Sequence, residues 1–199
     1  MIPWVDILLI FIGIYASFEL IKFARGRGRL KFLGLTIAAG IFAFLEFVVV
    51  LNSLFTSSTF AAIASFIIEW GHLFCLAFIL SSMAIFIRES KPVFAQFPMA
   101  YTALPLFIVI SYFFVLDNIV LKEWLFFLYQ AGALIIALMM YGVYTYRLNK
   151  YIYILAGVVL FLISFITYWS FSGGASSWKY IISVAILTTV FGYKYAHKY

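Results

Sequence analysis

The sequence is short of nearly everything a water-facing surface requires. Charged residues fill only 10% of its 199 positions, where a soluble domain carries about 25%. Thirteen basic and seven acidic side chains are too few to cover such a domain, and no long polar stretch separates the apolar runs. One cysteine, Cys75, excludes an intrachain disulfide, a CxxC redox pair and a cysteine zinc site. The two histidines, His72 and His197, lie far apart and only His72 falls within an apolar run, which argues against bis-histidine haem ligation. No HExxH, P-loop, dinucleotide fingerprint or nucleophile elbow is present. The start lacks a basic n-region and a small-residue cleavage site, so the first apolar run is expected to be retained.

What remains is hydrocarbon: 67% of the residues are apolar and 22% aromatic. A run of about 20 apolar residues crosses a hydrocarbon layer of about 30 Å as a helix. Seven such runs are legible, at 4–23, 32–55, 60–87, 93–116, 119–146, 151–171 and 178–193. They are punctuated by the basic segment 24–31, by TSST at 56–59, by RESKP at 88–92, by Asp117-Asn118, by RLNK at 147–150 and by SGGASS at 172–177. The fold expected is an all-α, polytopic transmembrane bundle forming one domain over 1–199. The fourth run carries Pro98 and Pro105, which predicts a kinked helix, because an internal proline removes a helix hydrogen bond and clashes with the preceding turn.

Orientation follows from the cations. With seven alternating spans, Lys22, Arg25, Arg27, Arg29, Lys31, Arg88, Lys91, Arg147, Lys150, Lys194 and Lys198 share one side, and only Lys122 and Lys179 fall on the other. Lysine and arginine collect on the cytoplasmic side of membrane proteins. The N-terminus is therefore expected outside and the C-terminus in the cytoplasm of an inner or plasma membrane. The net charge of +6 is read as topology-setting contact with anionic lipid heads, with the bilayer as partner and nucleic acid excluded. A membrane protein partner or a homo-oligomer is compatible with the short loops. Segments 29–47 and 147–165 share a faint similarity, as a three-plus-one-plus-three duplication would produce.

Carboxylates inside spans identify the candidate chemistry. One at mid-bilayer costs about 2.5–3.5 kcal/mol on insertion scales, while each Leu or Phe returns about 0.3–0.6. Such groups therefore face the interior and seek partners. Glu19 lies near a span end, within reach of Lys22. Glu46 lies mid-way along the second run, and Glu69 and His72 mid-way along the third, three residues apart and so on one helix face. Ser65, Gln130, Ser183 and Lys179 place further polar groups in the outer half. The expectation is a polar cavity open to the outside, with Glu46, Glu69 and His72 at its floor and Gln130 and Ser65 on its walls.

Three readings of that floor follow: a hydrogen-bonded packing cluster, a substrate or proton site, or a metal centre. Glu69 and His72 have ExxH spacing, and Glu46 would supply a third ligand to a single Zn or Fe. The corresponding functions are binding or transport of a small solute or ion, a non-catalytic structural or sensory subunit of a larger membrane complex, and a metal-dependent membrane enzyme. Enzyme activity is the least favoured. A retinal protein is excluded, because the middle of the last run reads Ala185-Ile186-Leu187 and offers no Schiff-base lysine.

Overall fold

The computed structural model describes residues 4–25, 30–55, 57–90, 98–115, 117–170 and 177–198. Among them every regular element is helical: α1 (Trp4–Ala24), α2 (Leu30–Leu54), α3 (Ser58–Ser90), α4 (Pro98–Phe114), α5 (Ile119–Arg147), α6 (Ile152–Ser170) and α7 (Ser177–Lys198). The ends follow local chemistry. Asn118 caps α5 by accepting the Leu121 N–H at 3.1 Å, the N-cap role its side chain favours. The RLNK segment tightens into one 3-10 turn, Asn149–Tyr151, before α6. Pro98 stands at the first position of α4, where its missing N–H costs nothing. The first five positions of the fourth apolar run lie outside the described residues.

Small residues set how the helices meet. A Cβ on Gly13 of α1 would lie 2.9 Å from the Ala43 Cβ of α2, and one on Gly192 of α7 would lie 2.7 Å from the Ile154 nitrogen of α6. Gly34 and Gly71 give the same close approach between α2 and α3, against Ser82 and Leu45. Backbones this close gain dispersion contacts that lipid tails cannot match, which is why membrane helices favour small residues at their interfaces. The pairing order also fixes direction. Gly13 meets Ala43 while Ser17 reaches the Thr36 carbonyl, so α1 and α2 are antiparallel. Gly71 meets Leu45 while Gly34 meets Ser82, so α2 and α3 are antiparallel too. Asp6 pairs with Lys179, and Glu19 with Lys194, so α1 and α7 run parallel and side by side. The described chain therefore begins and ends at opposite ends of the bundle. The end of Trp4, Ser58, Ile119 and Ser177 is called the amino end below, and the opposite one the basic end.

The exterior is as apolar as the interior. Phe11, Phe18, Phe66, Phe107, Phe113 and Met139 are all more than 60% exposed. Five helices are long and apolar enough to cross a membrane: Trp4–Ala24, Lys31–Leu54, Ser58–Ile87, Ile119–Arg147 and Asn149–Ser170. The other two fall outside that set: α4 has 17 residues, and α7 mixes Lys179, Lys194 and Lys198 with its apolar side chains.

Candidate functional site

The structure separates the acids that the sequence pointed to. Glu69 of α3 turns toward α4 and α5, where it accepts a hydrogen bond from the Tyr112 hydroxyl and pairs with the Lys122 ammonium at 2.7 Å. Glu46 of α2 turns the other way, into the α1–α2–α7 seam, where it lies beside Asp6 and near Lys179. Glu46 is only 3% exposed. The floor expected of Glu46, Glu69 and His72 together does not form, because Gly71 seats α3 against Leu45 and leaves Glu69 on the far flank of that helix. Among the described residues no three His, Cys, Asp or Glu side chains gather as a metal ion would require, so the Zn or Fe centre on these three residues is set aside. Ser65 is likewise removed from the site: it is exposed, and its hydroxyl donates to the Ala62 carbonyl of its own helix.

Two adjacent chambers take the place of that floor. The first, of about 340 Å³, opens near the amino end between α3, α4, α5 and α6, and is lined by Glu69, His72, Tyr112, Lys122, Glu123, Phe126, Tyr168 and Trp169. The second, of about 450 Å³, occupies the bundle axis and touches α1, α2, α3, α5, α6 and α7. His72, Phe126 and Tyr168 line both, so these three side chains form the partition between the polar vestibule and the inner cavity. His72 meets the Phe126 ring edge-on at 6.4 Å.

The inner cavity is walled chiefly by Leu, Ile, Ala and Phe, and several of its polar groups are already bonded. Ser164 donates to the Trp178 carbonyl, Thr189 to the Ala185 carbonyl and the Cys75 thiol to the Ala38 carbonyl. Gln130 accepts the Trp169 indole N–H at 3.0 Å. Gln130 and His72 stand together in the same cavity wall. A ligand in this cavity would therefore meet hydrocarbon along most of its length, with His72, Gln130 and Tyr168 as its polar neighbours.

The basic end of the cavity is closed by aromatic packing. Phe32 meets Phe23, Phe86 and Tyr193 at centroid distances of 5.6, 5.6 and 5.3 Å. The Tyr141 and Tyr193 hydroxyls bond to each other, and the Lys31 ammonium lies 4.8 Å over the Phe86 ring. Outside this plug, Lys22 and Lys194 both pair with Glu19. The Glu19 carboxylate and the Tyr15 hydroxyl raise the pKa of the Lys194 ammonium above the ordinary lysine value.

Sequence reasoning missed Asp6 and the cationic and phenolic partners of the two glutamates. One signal was available: Lys122 and Lys179 are the only cations of the amino end among the described residues, and each pairs with an acid of another helix. Reading it required knowing that α7 lies beside α1, which spacing within one helix does not reveal. Comparison with protein-family models, with curated proteins and with solved structures gives no match.

Proposed function

We propose that the protein is a seven-span membrane protein, with its amino end outside the cell and its basic end in the cytoplasm, that binds a small and largely apolar molecule within its central cavity. The observation that carries this reading is the apolar axial cavity of about 450 Å³, which shares His72, Phe126 and Tyr168 with the polar vestibule beside it. Binding pockets of about 300–1,000 Å³, mostly apolar with a few polar groups that orient the guest, are the usual form of a small-molecule site. The axial cavity falls in that range and has that chemistry. Polar solutes and ions fit it less well, since most of its wall offers them nothing in exchange for hydration.

The closed basic end favours a receptor or holder over an open channel. Carriage across the membrane would require the Phe32–Phe86–Tyr193 plug to part. The test uses purified protein in lipid nanodiscs and mass spectrometry of extracted small molecules, followed by titration with single-chain amphipaths. Saturable binding at one per chain is the expected result. Leu134 lines the cavity, and Leu134→Trp should fill it and weaken binding at least tenfold while thermal stability is kept. Equal affinity in wild type and Leu134→Trp would place the guest elsewhere and end this reading.

A further inference from the structure

A second site lies beside the cavity, in the seam between α1, α2 and α7. Asp6 is 7% exposed and Glu46 3% exposed, and the two carboxylates are neighbours. One cation serves them both: Lys179 pairs directly with Asp6 and acts on Glu46 from nearby. Ser183, one turn further along α7, gives its hydroxyl to the Lys179 carbonyl and so donates to neither acid. His72 of α3, which lines the cavity, lies within electrostatic reach of Lys179. One oxygen of Glu46, Oε2, is buried with no hydrogen-bond partner.

The charge count is unbalanced. Two ionised carboxylates and one ammonium leave a net negative charge in a seam between helices whose Leu9, Ile12 and Ala43 are buried. Isolated charge in such surroundings is costly, and a buried carboxylate gives it up by taking a proton. An ionised Glu46 would also leave a bare oxygen facing hydrocarbon, whereas a protonated one carries an O–H that can turn toward Asp6. Carboxylates held side by side around limited positive charge share protons in this way.

We propose that Asp6 and Glu46 together form a binding site for one exchangeable proton, with Lys179 as the fixed counter-charge to the carboxylate that stays ionised. Loading the proton makes the seam neutral and holds α2 against α1 and α7. Releasing it to water leaves two carboxylates and one ammonium, and so loosens that seam. The site is independent of what occupies the central cavity.

Infrared difference spectroscopy of the full-length protein in nanodiscs, titrated with pH, reads this directly. The expected result is one protonated-carboxyl band per chain that disappears as pH rises. Glu46→Gln should abolish the band and keep the thermal midpoint that the wild type shows at low pH, because glutamine mimics the protonated acid. Asp6→Asn should abolish it too, since Glu46 then ionises as the sole partner of Lys179. Glu69→Gln should leave the band in place. The proposal is overturned if the band is absent at every pH, if it survives in Glu46→Gln, or if it follows sodium concentration in place of pH. A Glu46→Gln protein that folds only with a strongly lowered midpoint would also overturn it, because the charged form would then be the structural one.

Discussion

Gly157 and Gly132 are the same residue in similar helices, yet they face opposite surroundings. A Cβ at Gly157 would run into the Thr189 hydroxyl and come within 3.0 Å of the Thr189 nitrogen, whereas one at Gly132 meets nothing within 4 Å. Overpacking of a tight contact costs about 1–3 kcal/mol, while replacing an unhindered helical glycine by alanine gains up to about 1 kcal/mol. Gly157→Ala should therefore lower the thermal unfolding midpoint in detergent, and Gly132→Ala should hold or raise it. The Glu69–Lys122 pair is half open, with side chains 38% and 19% exposed. Lys122→Met should then cost about 1 kcal/mol or less, as partly solvated pairs do, and denaturant unfolding would measure it. At this scale the sequence marked Glu46, Glu69 and His72 as interior groups but could not assign their neighbours. Spacing of three or four residues fixes a face relative to its own helix. Which helix that face meets depends on rotation, and here the close approach of Gly71 to Leu45 decides it.

Helices differ in how firmly they are held. Each of α1, α2, α3, α6 and α7 has at least one glycine pressed against a neighbouring helix, while α5 turns Gly132 and Gly142 to open space and packs through Ala133, Ala137, Met140 and Tyr141. α4 lies against α3 and is tied down through Tyr112, which bonds Glu69, meets the Trp70 ring edge-on at 5.6 Å and sits beneath Lys122 at 5.5 Å. Removing the hydroxyl in Tyr112→Phe should speed hydrogen exchange across 103–114 severalfold and leave α1, α2 and α7 unchanged, since segments with few tertiary ties open most readily. Unchanged exchange in α4 would show that the tether is apolar packing alone. The seven helices were legible from the apolar runs, with ends displaced by only a few residues, because length and hydropathy are local properties. The start of α4 at Pro98 was less so, since a proline reads equally as a kink or as a first helical position.

For the molecule as a whole, the charge distribution and the helix directions agree. Lys22, Arg25, Lys31, Arg147, Lys150 and Lys194 all belong to helix ends at one end of the bundle, and Lys122 and Lys179 to the other. Which side of a membrane each end faces is testable with single cysteines in a Cys75→Ala background. Cysteines at Ser57 and Asp117 should react with an impermeant thiol reagent in intact cells, and cysteines at Arg25 and Asn149 only after permeabilisation. Ligand binding by the axial cavity has its own direct readout in Trp178, which lines that cavity. In a variant retaining Trp178 as its sole tryptophan, a brominated single-chain amphipath should quench the indole fluorescence saturably at one molecule per chain, and Leu134→Trp with that tryptophan made non-fluorescent should abolish the effect. Quenching that rises linearly with probe, with no plateau and no response to filling the cavity, would mean that Trp178 sees only bulk lipid and that the cavity holds no guest.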